Sequence, residues 1–258
     1  MIRRQPPVEH SRYALYSSPS EPGALVLLLH GGRSQALEAP PRPNLPGLRM
    51  RPFARALARS CAGLRPVVAQ VRYRHRGWNG ERADAARDAE AALAELVRRL
   101  GPVPVVLVGH SMGARAALRV GDHPQVRGVV GLAPWCPAGE PVAHLTGRRL
   151  VLLHDESDRM TDPRGTWSLV ARARLAGASA CGVVLGGSDH AMLRRAGLWH
   201  RLAATVARGL FDPGTLPPAV ATALAATGQD APGLLTPAHV LDAGATTPRP
   251  EDTSRRVR

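Results

Sequence analysis

The sequence predicts an α/β fold: a mostly parallel β-sheet with helices on both faces. Strand-like apolar runs alternate with helix-like segments from about residue 24 to 211, as expected where helices connect parallel strands. The runs at 24–29 and 103–108 are apolar nearly throughout, which is typical of strands buried on both sides. Segment 81–100 has apolar residues three and four positions apart, which indicates an amphipathic helix.

The same patterns delimit the other elements. The predicted strands are 24–29, 67–71, 103–108, 126–133, 149–154 and 180–185. The predicted helices are 53–64, 81–100, 112–120, 163–177 and 197–211. Gly101 ends the second of these helices and Pro163 opens the fourth, in keeping with the preferences of both residue types.

A change of composition after residue 211 predicts a boundary. Residues 1–211 are expected to form a single domain. The tail 212–258 is rich in Pro, Ala, Thr and Gly and has few large apolar side chains. Such a segment buries little surface, so we expect it to be flexible, or at most a loosely docked short helix.

The chain is strongly basic, with a net charge of +14 and no lysine, so arginine supplies every basic side chain other than histidine. The arginines are scattered and only 3% of the residues are aromatic. Aromatic side chains that could stack on bases are therefore scarce. A solvated surface is favoured over a nucleic-acid partner, and the oligomeric state is left open.

Location and redox state follow from simple patterns. Arg3 and Arg4 are followed by polar and proline residues rather than by the apolar run of a signal peptide, and no stretch is long enough to span a bilayer. We expect a cytoplasmic protein with no membrane contact. Cys61, Cys136 and Cys181 are isolated and odd in number, which favours buried thiols over disulfides or metal ligands.

The motif G-x-S-x-G occurs at residues 109–113, between an apolar strand and a helix. A sharp turn there makes the serine hydroxyl project from the sheet edge, and the flanking glycines remove Cβ atoms that would clash. Ser111 is therefore the candidate nucleophile. The motif alone is weak, and its place between strand and helix is what gives it weight.

A serine hydroxyl needs a base to act as a nucleophile. His190 follows the last predicted strand in a glycine-rich loop, at the carboxyl edge where open α/β sheets keep their sites. It is the candidate base, and His200, within the next helix, is the weaker one. The base in turn needs a carboxylate to orient it. Three carboxylates follow the strand 149–154 and stay open as candidates at this point: Asp155, Glu156 and Asp158.

These segments together resemble the α/β-hydrolase family. The chain order serine, acid, histidine is that family's order, and His30-Gly31-Gly32 is similar to its H-G oxyanion segment. Residues 154–163 resemble its H-G-x-x-D-x-x-x-x-P pattern, which implies Asp158 as the acid. Asp155 departs from that pattern, because the family usually has glycine there. The likeness covers about 12–211 and, more finely, points to small hydrolases of the dienelactone-hydrolase or dipeptidyl-peptidase-like kind.

The resemblance implies an α/β-hydrolase fold without cofactor or metal. It also implies an oxyanion hole made by the backbone N–H groups of Met112 and Gly32, or alternatively Arg33. The interval 135–148 is too short for a large cap domain, so an open pocket is expected. Arg33, Trp78 and Trp135 are candidates to line it, although both tryptophans could equally pack under loops.

The implied activity is hydrolysis of a carboxylic ester or thioester through an acyl-serine intermediate, on a small-molecule substrate. An acyltransferase or a lyase could use the same triad. A different class of function also fits the sequence: a non-catalytic scaffold whose basic surface or tail binds an acidic partner.

Overall fold

The computed structural model describes residues 12–226 and 235–239. Within them the chain forms one eight-stranded sheet. Its strands are β1 (Tyr13–Ser17), β2 (Ala24–Leu29), β3 (Pro66–Val71), β4 (Val105–His110), β5 (Val126–Leu132), β6 (Arg149–Asp155), β7 (Ser179–Leu185) and β8 (Leu235–Pro237). Its α-helices are α1 (Leu45–Ser60), α2 (Asp84–Leu100), α3 (Met112–Arg119), α4 (Pro163–Leu175), α5 (Ala196–Phe211) and α6 (Pro218–Ala225).

The strand order is β1-β3-β2-β4-β5-β6-β7-β8. Every neighbouring pair is parallel except β1 and β3, which are antiparallel. In the centre, Val26 of β2 lies opposite Val68 on one side and Val106 on the other. Because the central strands run in one direction, their carboxyl ends meet at one edge, and the loops that leave this edge carry the candidate site.

Two apolar layers hold the helices to the sheet. Alternate side chains of β2 enter opposite layers, as the pleat of a strand requires. Leu25, Leu27 and Leu29 pack with α2, α3 and α4, whereas Val26 and Leu28 pack with α1, α5 and α6. The predicted doubly covered, mostly parallel sheet is confirmed.

Part of the predicted tail is packed on the domain, whereas a flexible segment or a loosely docked short helix was expected. This part comprises α6 and β8. Helix α6 packs on the sheet through Val220 and Ala223, both fully buried, and β8 pairs in parallel with β7. Arg174 of α4, itself only 5% exposed, donates to the carbonyls of Ala180 in β7 and Ala223 in α6. Small Ala and Val side chains therefore dock this part closely. Residues 227–234 and 240–258 of the predicted tail lie outside the described residues.

Three further expectations can be compared with the structure. The segment after β5 contains only the short 3₁₀ turn Ala143–Leu145, so no large cap domain stands there. The three cysteines are free and buried. Over residues 12–226 and 235–239, none of the helices has the combination of length and apolar character that crossing a bilayer requires.

Candidate active site

Ser111 lies at the turn between β4 and α3 with φ 53° and ψ −119°. This backbone conformation is strained for a residue with a side chain. The turn is fixed by its hydrogen bonds: Ser111 N–H donates to Leu132 at the end of β5, and the Ser111 carbonyl accepts from Ala114, Arg115 and Trp135. The surrounding backbone therefore holds the serine in place.

The glycines of the motif allow α3 to lie close to the sheet. A Cβ on Gly109 would lie 2.5 Å from Ala114 Cα, and one on Gly113 would lie 2.2 Å from the Leu29 carbonyl oxygen. Real Cβ atoms do not approach other atoms so closely, so a larger residue would push the helix away. The glycine spacing is thus a packing requirement of the turn.

His190 lies in the loop between β7 and α5, with its Nε2 3.1 Å from Ser111 Oγ. Two backbone contacts fix this loop. The Ser188 N–H donates to Asp155 Oδ2 at 2.7 Å, and the His190 carbonyl accepts from His110 Nε2 at 2.8 Å. The imidazole is therefore held toward the nucleophile from two sides.

Asp158 lies on the other side of the imidazole, with Oδ2 2.7 Å from His190 Nδ1. Burial by itself would raise the pKa of this carboxyl, but hydrogen bonds from His154, His190 and the Met160 N–H hold the pKa well below its usual value. Asp158 is therefore ionised, so His190 Nδ1 carries the hydrogen. Nε2 is then free to accept a proton from Ser111.

Two neighbours of Asp158 were not predicted from the sequence. His154, fully buried at the end of β6, donates from Nε2 to Asp158 Oδ2 at 3.0 Å, and its Nδ1 lies 2.7 Å from Thr166 Oγ1. Thr161 donates its hydroxyl to the same carboxylate oxygen at 3.0 Å. His154 lies four residues before Asp158, in the H-x-x-x-D part of the motif. Because the chain turns directly after β6, this spacing could have predicted that the two side chains meet.

The other two candidate acids are placed differently. Asp155 accepts from the Ser157 N–H and hydroxyl through Oδ1 and from the Ser188 N–H through Oδ2. It therefore connects the turn after β6 to the loop that carries His190, which explains a carboxylate at a position where glycine was expected. Glu156 is exposed. Of the three carboxylates, Asp158 is the one that contacts the His190 ring.

The expected oxyanion donors lie beside the nucleophile. Met112 is the first residue of α3, so its N–H is among those with no acceptor inside the helix. Gly32 packs against it, because a Cβ there would meet both Met112 Sδ and the Arg76 carbonyl. The N–H of Arg33 already donates to Arg76 at 2.9 Å. The backbone N–H of Arg33, the alternative donor, is therefore already used. The Arg33 side chain is exposed.

The predicted pocket tryptophans are part of a packed cluster instead. Trp78 is 2% exposed and Trp135 is half-buried, and their rings meet edge to face. The Arg115 guanidinium lies over both rings, 3.9 Å from the centre of Trp78 and 4.6 Å from that of Trp135. It donates to buried Glu140 at 2.6 Å. Trp78 is therefore a core residue and not a pocket wall, because the guanidinium groups of Arg115 and Arg119 lie over its ring.

The sequence of the chain matches the family model described as "Alpha/beta hydrolase family" over residues 26–256. The chain belongs to the alpha/beta hydrolase family. Among curated protein sequences, none matches it.

Several solved structures share the fold of this alpha/beta hydrolase. An alpha/beta hydrolase of unknown function from Agrobacterium tumefaciens has a TM-score of 0.60 and 14% identity, over 80% of this chain and 93% of that one. Esterase PE8 has a TM-score of 0.58 and 19% sequence identity, over 76% of this chain and 99% of that one. An alpha-beta serine hydrolase homologue from Coxiella burnetii has a TM-score of 0.55 and 15% sequence identity, over 74% of this chain and 89% of that one. At such low identity, the likeness shows the fold alone.

Two buried histidines flank the site in this alpha/beta hydrolase. Burial lowers the pKa of His110 to about 3, with the neighbouring charge of His190 adding to the effect, and burial lowers that of His30 to about 4. Both rings are therefore neutral near pH 7. His110 Nδ1 has no hydrogen-bond partner among the described residues. The same residues offer no group of three His, Cys, Asp or Glu side chains that could hold a metal ion.

Family membership supports a hydrolase as the general class of activity. What the site can do chemically depends on its groups. It has a hydroxyl on a strained turn, an imidazole within hydrogen-bond reach and a buried carboxylate behind that imidazole. Such a chain can move a proton from the hydroxyl to the ring and stabilise the imidazolium that forms.

Proposed function

We propose that this protein is a serine hydrolase that cleaves a carboxylic ester or thioester through an acyl-serine intermediate. The observation that carries the proposal is the continuous hydrogen-bonded chain from Ser111 Oγ through the two ring nitrogens of His190 to Asp158, with distances of 3.1 and 2.7 Å. Such distances are within the range of working nucleophile–base and base–acid pairs.

In the first half of the reaction, Ser111 Oγ attacks the carbonyl carbon of the substrate and its proton passes to His190 Nε2. The negative charge that develops on the carbonyl oxygen is stabilised by the N–H groups of Met112 and Gly32. When the tetrahedral intermediate collapses, the bond to the leaving alcohol or thiol breaks. The leaving group takes the proton from His190, and the acyl group stays on Ser111.

In the second half, water attacks the acyl carbon and gives its proton to His190. The bond to Ser111 Oγ breaks, the serine recovers the proton, and a carboxylic acid is released. Asp158 stays ionised throughout, because its pKa is far below neutral. Its charge faces the imidazolium that forms twice in each cycle.

Labelling with a fluorophosphonate probe tests the proposal directly, since this reagent reacts with activated serines. We expect the wild-type protein to be labelled and Ser111→Ala to remain unlabelled. Ser168→Ala, at an exposed position of α4, is the matched control and should label like the wild type. Folded wild-type protein that takes up no label would instead favour a non-catalytic scaffold.

The acid is tested by turnover of p-nitrophenyl acetate. Asp158→Asn should lower kcat about 10⁴-fold, since the wrong imidazole tautomer is then favoured. Asp162→Asn is the matched control, because exposed Asp162 caps α4 and asparagine caps helices equally well. Asp155→Asn should cost far less than Asp158→Asn. The reverse order would assign the acid to Asp155.

A further inference from the structure

His110 is the last residue of β4 and lies directly before the nucleophile, outside the triad. Side chains alternate along a strand, so that of His110 leaves the sheet on the same side as Val106 and Val108. These two valines pack in the layer that includes α5. The loop that carries His190, residues 186–195, leads into α5 and is called the base loop below. The position of His110 in the strand therefore directs its ring toward the base loop.

The His110 ring is joined to the base loop by one hydrogen bond. Its Nε2 lies 2.8 Å from the His190 carbonyl oxygen, and the centres of the two rings are 5.0 Å apart. A carbonyl oxygen only accepts, so Nε2 of His110 carries the hydrogen. Burial lowers the pKa of the ring to about 3, so near pH 7 its Nδ1 carries none.

The other nitrogen of His110 gains nothing from the fold. Nδ1 is buried and has no hydrogen-bond partner among the described residues. Burying a polar atom without a partner costs free energy. The one bond that the ring does make, to the main chain of His190, is therefore the feature that favours an imidazole at this position.

His190 is held by three contacts, and two of them come from adjacent residues. Ser111 Oγ lies 3.1 Å from ring Nε2, His110 donates to the main-chain carbonyl, and Asp158 lies 2.7 Å from ring Nδ1. Because His110 and Ser111 are consecutive at the strained turn, the main chain of the base is fixed relative to the nucleophile. This contact does not involve the serine hydroxyl.

The three contacts are not all available throughout the proposed reaction. In the acyl-serine intermediate, Ser111 Oγ is an ester oxygen and has no hydrogen to donate to His190. Nε2 must then accept the proton of the attacking water. Asp158 still holds the ring at this stage, and His110 still holds the main chain.

We infer that His110 is a positioning residue that keeps His190 in place for the hydrolysis of the acyl-serine intermediate. The inference rests on the proposed serine hydrolase function. During acylation the serine hydroxyl helps to align the base, whereas during deacylation it does not. Loss of the His110 donor therefore slows deacylation more than acylation, and the acyl-serine accumulates.

The two steps are separated during turnover of p-nitrophenyl acetate by measuring the fraction of protein that carries an acetyl group, by intact-protein mass spectrometry. The turnover rate divided by this fraction is the rate constant of deacylation. We expect His110→Leu to lower this constant about tenfold, the loss expected from one hydrogen bond. At a substrate concentration that leaves at least half of the wild type unacetylated, the acetylated fraction should rise. An unchanged or smaller fraction would overturn the inference.

Two variants separate the hydrogen bond from packing. His110→Gln keeps a donor for the His190 carbonyl and should recover most of the deacylation rate. His144→Leu is the matched control, because half-buried His144 also donates from Nε2 to a carbonyl, that of Leu118 in α3, at 3.0 Å. It should leave the acetylated fraction and the turnover rate unchanged. If His110→Gln were as slow in deacylation as His110→Leu, the donor would not be the cause and the inference would fall.

The inference and the hydrolase function fail in different ways. Wild-type protein that gains no acetyl group on Ser111 and takes up no fluorophosphonate would refute the hydrolase function. If the wild type is acetylated and Ser111→Ala is not, the hydrolase function stands. An equal acetylated fraction in the wild type and in His110→Leu would then refute the positioning role alone.

Discussion

The buried neutral histidines beside the nucleophile make the fold sensitive to mild acid. Burial lowers the pKa of His30 from 6.5 to about 4 and that of His110 from 6.5 to about 3. Between those values and 6.5 the unfolded chain binds protons that the folded chain excludes. The free energy of unfolding therefore falls as the pH drops below 6.5, and it is fully retained above that value.

The size of the loss follows from the two shifts. At pH 5.5 each histidine of the unfolded chain lies one unit below its pKa, and its protonation favours unfolding by about 1.4 kcal/mol. The two together lower the free energy of unfolding by about 3 kcal/mol between pH 7.5 and 5.5. Partly buried His123 and His200, whose pKa values burial also lowers, act in the same direction.

Urea denaturation followed by tryptophan fluorescence measures this loss at the two pH values. In His30→Asn/His110→Gln most of the dependence should disappear, although the variant starts from a lower stability. Glutamine at 110 can still donate to the His190 carbonyl that the native ring contacts. If the double variant lost as much stability in acid as the wild type, the neutral burial of these two rings would not be the cause.

Three further substitutions test contacts around the site. Gly113→Ala should lower the free energy of unfolding by about 3 kcal/mol, because the added Cβ would meet the β2 backbone. Gly63→Ala is the control in the same urea titration, because a Cβ at Gly63 would meet no other atom. Arg174→Met should cost about 2–4 kcal/mol by leaving two carbonyls unpaired, and limited proteolysis should then cut near α6 sooner. His154→Phe should lower kcat for p-nitrophenyl acetate about tenfold, because Asp158 loses one charge-assisted hydrogen bond; unchanged kcat would remove any positioning role.

The central strands could be predicted from the sequence because their apolar runs have no polar interruption. β2 has the predicted bounds Ala24–Leu29, and β4 was displaced by two residues, to Val105–His110. The edges of the sheet gave weaker signals. β1 is a five-residue edge strand with exposed positions, and β8 has three residues, so neither carries the apolar run that marks a buried strand.

Helix bounds and side-chain surroundings were harder to predict from the sequence where contacts between distant residues determine them. Helix α1 begins at Leu45, well before the predicted residue 53, because Asn44 caps it and Pro46 is accommodated in its first turn. Trp78 appeared to be at the rim because it follows a strand, yet Arg115, far away in the chain, covers it. The contact between His154 and Asp158 depends on the turn after β6, and the motif spacing alone does not predict that turn.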